Sequence, residues 1–505
     1  MRAHNQLSRL RLAARQFSSC GPRLSAKKSA PAAKSQHLGY PLYNIKHLYA
    51  NPDEYIASCT KRRLPAVAET IPIITSLHQE ANECRYRRSE VYHERKVLQQ
   101  QIKQPSVENR QQILARLSEL KQIGGEVDDK IAELEEKIRN YMDYVPNLLP
   151  DDAPVDEEEV VKYLNPSDPS LVPEAIISDD EFRRPIDYEE KRPDHVDIGV
   201  ELGIIDLTTA SKVSGHAFYY LVGDGALLEQ ALIQYALSKA AQAGFKLMAP
   251  PSVVRREYAL ACGFRPRAAD GERQIYNLTV AGGTAAEEEN AAGRLCLTGT
   301  AEIPLAAWAS DRAFKPDELP LKVAGVSRSY RAEAGAHGRD TRGIYRVHEF
   351  TKVELFAWVS GVNESLEPCE KESPASTAML EELRKLQEEI LSDLGLHCRV
   401  LNMPTTDLGA SAYKKYDIEA WMPGRQGWGE VTSASNCTDY QARRLHTRLR
   451  TEASLAPVHT LNGTAMAVPR VIAAILETFY DPGRKAVWIP VPLRRFMGKS
   501  WITQN

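Results

Sequence analysis

The stretch 326–358, VSRSYRAEAGAHGRDTRGIYRVHEFTKVELFAW, decides the fold. Its second half, 344–358, is rich in Ile, Tyr, Val, Phe and Trp, which predicts a β-strand. The run 321–330 also has the composition of a strand, so the two together predict an antiparallel hairpin. The loop between them holds three glycines and several arginines and is too long for a tight turn. Loops of this length usually bind something.

Side chains alternate between the two faces of the second predicted strand. The core face would carry Tyr345, Val347, Val353 and Leu355. The opposite face would carry Arg346, His348, Phe350, Lys352 and Glu354. A cation, an aromatic plate and a carboxylate on one sheet face indicate a site for a charged ligand with a flat ring. A solvated sheet face beside a surface loop is the alternative interpretation.

Length and composition set the class of protein. The chain has 505 residues, of which 43% are hydrophobic and 26% charged, enough for two or three domains with a core. A net charge of −3 argues against non-specific coating of nucleic acid. The 8 cysteines are scattered without a C-x-x-C pair, which argues against a zinc site or a disulfide framework. The sequence contains no run of about 18 apolar residues, so it does not predict a membrane-spanning helix.

The first residues have an unusual charge pattern. No acidic residue precedes Asp53, and basic residues are frequent before position 29. They are Arg2, Arg9, Arg11, Arg15, Arg23, Lys27 and Lys28. The pattern predicts that residues 1–35 are a mitochondrial presequence. A basic tail without a targeting role is the alternative.

Residues 38–150 have the pattern of a helical domain. The segment 51–63 predicts a short helix with proline in its first turn. Two heptad-like series follow, separated by Pro105, and predict an antiparallel coiled-coil hairpin. Their seam positions are Ile74, Leu77, Ala81, Cys84, Val91, Leu98 and Ile102, then Ile113, Leu117, Leu120, Val127, Ile131, Leu134, Ile138, Tyr141 and Val145. Basic residues on the outer faces either solubilise this arm or contact RNA.

The remainder divides into a linker and a larger domain. Residues 151–193 are rich in acids and prolines and predict an extended acidic linker. From 194 to 505 helix and strand patterns alternate, with a helix at 226–243 and a strand at 247–254. The two prolines of that strand predict a place at a sheet edge and suggest a subunit interface. The segments 282–293 and 367–376 are predicted to be exposed insertions.

Two polar segments predict ligand sites. In 297–304 (LTGTAEIP) a predicted strand would place Thr298, Thr300 and Glu302 on one face, a set suited to an ammonium group. In 430–436 (EVTSASN) the oxygen-bearing side chains are ligands that Mg²⁺ accepts beside phosphates. A threonine-rich strand with a surface glutamate, and a polar strand end without function, are the alternatives.

The segment 459–480 (HTLNGTAMAVPRVIAAILETFY) predicts a strand, then Asn462 and Gly463, then a helix. Arg470 lies off the predicted buried stripe of that helix, near its first turns, where the partial positive charge suits phosphate. With Arg331 it could clamp a polyphosphate. An ammonium pocket, a base-stacking plate, arginines and metal ligands together indicate adenylation of an amino acid by ATP.

At these residues the chain resembles the seryl-tRNA synthetases, a family of class II aminoacyl-tRNA synthetases. Leu202–Pro251 resembles motif 1, with a proline of the dimer interface at its end. The motif 2 pattern is met by Tyr330, Arg331, Glu333, Gly335, Arg346, His348, Phe350, Lys352, Val353 and Glu354. The family's T-x-E is met by Thr300 and Glu302, and a further family run by SASNCTDYQARR at 433–444. Motif 3 is met by Thr460, Asn462, Gly463, Thr464 and Arg470.

The resemblance implies roles for these residues. Those expected to bind serine are Thr300, Glu302, Arg331, Glu354, Asn462 and Thr464. Those expected to bind ATP are Arg331, Glu333, Arg346, Val347, Phe350, Glu430, Ser433 and Arg470. Arg331, Glu354 and Arg470 would act in catalysis, and Glu430 with Ser433 would hold Mg²⁺. Phe350 and Arg470 would lie on opposite faces of the adenine.

The resemblance also implies a fold and an activity. The fold would be α+β, a six- to eight-stranded antiparallel sheet flanked by helices behind the N-terminal arm. The protein would be a homodimer of the mitochondrial matrix that activates L-serine with ATP and transfers it to tRNA(Ser). A carrier-protein ligase would lack the arm. An inactive paralogue acting as a scaffold would have lost Arg331, Arg470, Thr300 or Glu430, all of which are present.

Overall fold

The structure is a computed structural model that describes residues 42–103, 109–165, 191–264, 275–278, 295–332, 343–452 and 454–504. All of them belong to the unit formed by residues 40–505. The predicted presequence, the segment 282–293 and Glu333 lie outside the described residues. No helix in these ranges is long and apolar enough to span a bilayer.

The helices are numbered along the chain. They are α1 (Ile45–Ala50), α2 (Pro52–Lys61), α3 (Pro65–Ala68), α4 (Thr70–Gln101), α5 (Arg110–Met142), α6 (His195–Glu201), α7 (Leu207–Ser214), α8 (Asp224–Gln242), α9 (Arg256–Ala261), α10 (Glu302–Ala307), α11 (Pro374–Asp393), α12 (Tyr440–Arg444), α13 (Val468–Phe479) and α14 (Val491–Met497).

The strands are numbered in the same way. They are β1 (Glu159–Leu164), β2 (Ile205–Asp206), β3 (Tyr220–Leu221), β4 (Lys246–Met248), β5 (Val253–Arg255), β6 (Asn277–Leu278), β7 (Leu295–Leu297), β8 (Ala313–Phe314), β9 (Leu321–Tyr330), β10 (Glu349–Ser360), β11 (Cys398–Asn402), β12 (Lys414–Met422), β13 (Gly427–Asn436), β14 (Arg448–Arg450), β15 (Leu455–Ala467), β16 (Tyr480–Asp481), β17 (Ala486–Trp488) and β18 (Trp501–Thr503).

The long helices α4 and α5 form the predicted hairpin and run antiparallel. Early residues of one helix pair with late residues of the other, as in the ion pairs Arg85–Glu135 at 2.8 Å and Lys130–Glu80 at 3.3 Å. The buried seam positions include Ile74, Ala81, Val91, Leu120, Val127, Ile131, Leu134 and Ile138. With 32 and 33 residues the helices reach roughly 50 Å. α5 ends at Met142, before the predicted seam position Val145, and the coiled-coil supercoil stays a prediction.

The base of the hairpin is fixed to the larger domain. The buried guanidinium of Arg62 donates to five backbone carbonyls, among them Asn147 at 3.2 Å and Ala412 at 2.6 Å. The Asn147 amide in turn donates to the carbonyls of Ser411 and Cys437, both at 2.9 Å. Because a buried charged group needs partners for its donors, these bonds hold the arm in one orientation at its root.

The larger domain is built on one sheet. Its strand order is β1-β11-β12-β13-β15-β10-β9-β4, with β8 and β14 attached beside β15, which makes ten strands within the described ranges. The pairings are antiparallel except β4 with β9 and β8 with β14. The predicted hairpin is confirmed, since Glu349 of β10 pairs with Tyr330 of β9. The two short strands explain why the sheet exceeds the expected six to eight.

One face of the sheet is covered by α8, α11 and α13. Val353 and Leu355 point into this layer and are fully buried, as predicted. Full burial of one such side chain contributes about 1.5–3 kcal/mol. The predicted stripe of α13 is buried as well. The opposite face of the sheet is left for the polar side chains described below.

Three strand predictions are wrong in their bounds. The second hairpin strand begins at Glu349, not at residue 344, because the backbone at 344 and 348 bonds to His195 and Ala217 instead of to β9. The predicted strand 247–254 is split into β4 and β5 by its two prolines, which cannot donate to a ladder. β4 does lie at the sheet edge, as predicted. Of the predicted strand 297–304 only Leu297 lies in a strand, at the end of β7, and a turn and α10 follow.

Two predictions outside the motifs also change. The linker interpretation is wrong for 159–164, since β1 pairs with β11 and forms an edge of the sheet. The segment 367–376 is not wholly exposed. Ser373 and Ser376 are buried and form a capping box at the start of α11, while Lys371 pairs with Glu54 and Asp151.

Candidate active site

The open face of the sheet owes its composition to two β-bulges. Asp417 and Glu419 of β12 pair with Ser433 and Glu430 of β13, so β13 holds one extra residue between them. Residues three apart normally point to opposite faces of a strand. The extra residue turns Glu430 and Ser433 to the same face.

The second bulge lies in β15. Glu354 pairs with Thr464 and Val353 with Met466, which leaves one extra residue in β15 between them. Thr464 shares the face of Glu354 because the two are paired, and Asn462 and Lys352, each two residues away, lie on that face as well. The extra residue places Met466 on the apolar face with Val353. Further along the same face Phe356 and Trp358 are fully buried among aromatic rings and close the floor of the site.

Glu302 is the centre of a buried polar pocket. Its carboxylate is 6% exposed and accepts hydrogen bonds from Gln441 Nε2 at 2.6 Å and Asn462 Nδ2 at 3.1 Å. The turn before α10 delivers it, because the Glu302 amide donates to Thr300 Oγ1 at 3.3 Å. Thr300 and Glu302 thus come together through a turn and a helix start, not through the predicted strand face.

A second buried carboxylate belongs to the same pocket. Glu354 is 0% exposed, and one of its oxygens lies 2.5 Å from Lys352 Nζ. Neither oxygen has a well-formed hydrogen bond within the described part of the chain. Burial raises the pKa of Glu354, against the effect of Lys352. Burial, and then the charge of Glu354, raises the pKa of Glu302 to about 7. The pocket is therefore ready for a cationic ligand.

Arg331 borders the pocket where β9 ends. Its guanidinium lies over the Phe350 ring, 5.2 Å from the centroid, and its Nε donates to the Gly299 carbonyl at 3.4 Å. The backbone amide of Arg331 donates to the His348 carbonyl at 2.9 Å. A guanidinium and an aromatic ring are thus adjacent at the mouth of the carboxylate pocket.

Arg470 and Glu430 form the other end of the site. Arg470 Nη1 lies 3.2 Å from the Glu430 carboxylate and donates to the Glu430 carbonyl at 3.2 Å. Burial acts to raise the pKa of Glu430. The positive charges of Arg470, Lys415 and Arg331 together have the larger effect and lower the pKa to about 2. The side chain keeps 39% exposure, so this carboxylate is charged and accessible.

Tyr345 supports this end. Its ring lies under the guanidinium groups of Arg470 at 4.8 Å and Arg425 at 4.7 Å, and its hydroxyl donates to the Glu430 carbonyl at 3.1 Å. The loop before it is anchored by His195, whose Nε2 accepts from the Ile344 amide at 3.3 Å and whose Nδ1 donates to Glu477 at 2.8 Å.

The residues at this end fit a divalent cation bound together with phosphates. Glu430 and Ser433 present hard oxygen donors on one face, and the buried Asp417, opposite Ser433, has an Oδ1 that receives no hydrogen bond from any described residue. No group of three or more His, Cys, Asp and Glu ligands occurs among the described residues. Magnesium commonly uses one or two carboxylates plus substrate phosphates, so such a group is not needed.

Most sequence-predicted site residues lie on this face or at its rim. Arg346 is exposed in the turn before β10 and Val347 is buried there, while Glu333 lies outside the described residues. Sequence reasoning gave no role to Lys352, Gln441 or Tyr345. Gln441 stands inside the SASNCTDYQARR run, but only the fold reveals its partner. Tyr345 was assigned to a core strand face, and it lies instead in a turn.

The geometry suits two substrates side by side. The Glu302–Glu354 pocket fits an ammonium group, Arg331 fits a carboxylate or phosphate beside it, and Phe350 offers a stacking surface. Arg470 and Glu430 fit a polyphosphate with its cation. An amino acid and a nucleoside triphosphate would meet at Arg331.

Comparisons with known proteins agree with this geometry. The tRNA synthetase class II core domain (G, H, P, S and T) matches residues 285–479, and the seryl-tRNA synthetase N-terminal domain matches residues 42–149. The mitochondrial serine–tRNA ligase of Saccharomyces cerevisiae is 40% identical over 477 residues, 93% of this chain and 98% of the relative. That of Bos taurus is 35% identical over 483 residues, 93% of this chain and 86% of the relative.

A solved structure gives the same result. The seryl-tRNA synthetase from Pyrococcus horikoshii complexed with ATP superposes with a TM-score of 0.78 at 33% identity. The match covers 92% of this chain and 100% of that chain.

Proposed function

The chain belongs to the seryl-tRNA synthetases and is a serine–tRNA ligase, and on that premise we propose which of its residues bind each substrate. The observation that carries the proposal is the pair of buried carboxylates, Glu302 and Glu354, beside Arg331. Burial and mutual repulsion both disfavour the ionised forms of two neighbouring carboxylates, so a cation bound between them stabilises the ionised pair.

Serine binds with its ammonium group at Glu302 and Glu354. Thr300, Asn462 and Thr464 surround the hydroxyl side of the pocket, where hydroxyl and amide groups exchange hydrogen bonds with a serine side chain. The Asn462 amide already donates to Glu302, which supports its presence in this pocket. Arg331 binds the serine carboxylate and the α-phosphate of ATP together.

ATP lies over the sheet with its adenine on Phe350 and Arg470 on the other side of the ring. Arg470 also lies over the Tyr345 ring, 4.8 Å from its centroid, which holds the guanidinium at this end of the site. Arg346 and Arg470 hold the outer phosphates, and Glu333 and Val347 complete the nucleotide site.

Magnesium would be held by Glu430 and Ser433, where it would neutralise phosphate charge. This chain's own residues do the rest. Arg331 aligns the serine carboxylate with the α-phosphorus, and Glu354 and Glu302 fix the other end of the amino acid. A serine carboxylate oxygen bonds to the α-phosphorus as the bond to pyrophosphate breaks. Positioning and charge neutralisation supply most of the rate.

Transfer to tRNA follows at the same place. A hydroxyl of the terminal ribose of tRNA(Ser) attacks the seryl carbonyl, and AMP leaves. The arm of α4 and α5, as a coiled coil, contacts the body of the tRNA, and the loop before Gly343 contacts its acceptor end. The enzyme works in the mitochondrial matrix, which the mitochondrial relatives and the basic first 35 residues support. Its assembly as a homodimer rests on the resemblance of Leu202–Pro251 to motif 1.

Amino-acid-dependent ATP–pyrophosphate exchange tests the proposal. We expect protein without residues 1–35 to exchange with serine and not with threonine, alanine or glycine. Exchange with all four would contradict the assigned pocket. No exchange from folded protein would favour the inactive paralogue.

A further inference from the structure

Gln441 is a fully buried side chain for which the proposed function has no use. It lies in the short helix α12 and is 0% exposed. Two backbone bonds tie the approach to this helix to β15, from the Cys437 amide to the Thr460 carbonyl and from the Thr460 amide to the Thr438 carbonyl, both at 2.9 Å. The position of Gln441 is therefore fixed relative to the strand that carries Asn462.

The Gln441 amide joins two polar groups. Its Nε2 donates to Glu302 Oε1 at 2.6 Å, and its Oε1 accepts from the Thr460 hydroxyl at 2.8 Å. An ionised carboxylate only accepts, so the nitrogen must face Glu302. The Glu302 carboxylate sets this orientation, because the flipped amide would point its oxygen at the carboxylate, and the Thr460 hydroxyl supports it by donating to the amide oxygen.

Gln441 and Asn462 each donate a hydrogen bond to one oxygen of the Glu302 carboxylate. Gln441 Nε2 donates to Oε1, and Asn462 Nδ2 donates to Oε2 at 3.1 Å. The other charged or titratable groups that act on this pocket come from several elements. They are Glu354 and Lys352 of β10, Arg331 at the end of β9, Cys262 after α9 and Cys437 after β13. Burial and Glu354 both disfavour the charged form of Glu302, and Gln441 is one of the groups that oppose them.

We propose that Gln441 is a positioning residue for serine recognition, whose amide, held on its other side by Thr460, keeps Glu302 an aligned and ionised acceptor for the serine ammonium group. The inference rests on the proposed role of Glu302. It predicts a specific defect when the amide is removed. Glu302 would take up a proton more readily, so serine would bind weakly near neutral pH while ATP would bind as before.

The test is the pH profile of the serine KM in pyrophosphate exchange for Gln441→Met, which keeps the volume and removes both hydrogen bonds. A hydrogen bond to a charged group accounts for about 10-fold or more in affinity. We expect the serine KM at pH 7 to rise by about that factor and to recover toward pH 8.5. The kcat at saturating serine and the KM for ATP should stay within about threefold.

Two further variants keep the test decisive. Thr460→Val removes one of the two hydrogen bonds that hold the amide and leaves the amide itself, so it should give a smaller shift in the same direction, even if Gln441→Met does not fold. Thr447→Val removes another buried hydroxyl bond, to the Ala309 carbonyl at 2.9 Å, and should leave the serine profile unmoved.

The outcomes separate the two levels of inference. Wild-type protein without serine-dependent exchange would overturn the proposed function itself. Active wild-type protein, with serine profiles of Gln441→Met and Thr460→Val that match wild type, would overturn the role of Gln441. Equal increases in the KM for serine and the KM for ATP, with no shift in the pH profile of the serine KM, would show that Gln441 acts on folding alone.

Discussion

Glu302 and Asn462, 160 positions apart in the chain, meet in a 3.1 Å hydrogen bond between Asn462 Nδ2 and Glu302 Oε2. One comes from the first turn of α10 and the other from the middle of β15. The contact makes a single pocket out of two motifs that look unrelated in the sequence. The predictions below examine that pocket and the groups around it.

Serine binding should weaken below neutral pH. Because the pKa of Glu302 is raised to about 7, a proton must leave this carboxyl before it can hold an ammonium group. We expect the serine KM to rise by up to about tenfold for each pH unit below 7, the limit for release of one proton. The measurement is the serine KM in pyrophosphate exchange between pH 5.5 and 8.5. Glu302→Gln should bind serine poorly and show no such limb; a wild-type profile flat down to pH 5.5 would contradict the assignment.

The same group should affect stability with a definite sign. Its folded pKa lies above its ordinary value of 4.5, so the folded state binds the proton more tightly than the unfolded state. The contribution of Glu302 to stability is therefore present below pH 4.5 and is lost as pH rises toward 7. Added serine should restore it. Thermal melts with and without serine should diverge across this window in wild type, and the divergence should shrink in Glu302→Gln.

Arg331→Ala should lower serine activation by at least about 10²-fold, the usual loss when one transition-state donor is removed. The physical reason is that Arg331 is the group placed between the carboxylate pocket and the Phe350 plate. Single-turnover adenylate formation is the readout. Arg484→Ala, which removes an exposed arginine far along the chain, is the matched control. Near-normal activation by Arg331→Ala would refute its assigned role.

Glu430→Gln should weaken binding of the metal–nucleotide complex while sparing serine binding. The carboxylate is kept ionised by Arg470 and Lys415, and the amide would supply neither charge nor a second anionic oxygen. Titration of Mn²⁺ into enzyme with a non-hydrolysable ATP analogue, followed by electron paramagnetic resonance, measures this directly. Unchanged Mn²⁺ affinity would remove Glu430 from the metal site.

Shortening the arm should separate the two half-reactions. Ser89–Val127 can be replaced by a short glycine loop, because the ion pair between Arg88 and Asp128, at 3.5 Å, brings the cut ends together. The base of the hairpin, which packs against Tyr413, is kept. We expect normal pyrophosphate exchange and loss of tRNA serylation. If exchange failed in folded protein, the distal arm would be needed for the fold of the active site.

Gly343→Ala should impair ATP binding through the turn that precedes β10. Gly343 has φ of +80°, and an added Cβ would overlap the His195 ring. His195 would have to move away from Ile344, which would release the turn that presents Tyr345 to Arg470. We expect a higher KM for ATP together with a lower melting temperature, since alanine is strained at this φ and the buried His195 ring must move. Gly125→Ala, in open space on α5, is the control.

The sequence predicted the elements whose patterns are periodic. The arm, the hairpin of β9 and β10, α8 and the buried stripe of α13 all follow from local repeats of apolar residues. The strand face of Phe350, Lys352 and Glu354 followed from parity alone. These features depend on residues that are close to one another in the sequence, so the local pattern is enough to predict them.

What the sequence could not predict depends on distant parts of the chain. The segment at Thr300 has a strand-like composition, yet its turn is fixed by the pocket it enters. Residues 159–164 look like an acidic linker, but pairing with β11 makes them a strand. Gln441 has no signal of its own, because its role consists of a bond to Glu302, which lies 139 positions away. Tertiary contacts override local composition in each case.

The two bulges have a consequence for how this chain can change over generations. Glu430 and Ser433 share a face only because β13 holds one surplus residue, and the surplus residue of β15 lets Thr464 lie beside Glu354 while Met466 lies on the apolar face. Substitutions near the two bulges leave the facing of these side chains unchanged. Loss or gain of a single codon between 430 and 433, or between 464 and 466, would turn the ligands into the apolar layer behind the sheet. The number of residues in these two segments should therefore vary less among active relatives than the residue types do. A relative with a changed length there is expected to be inactive.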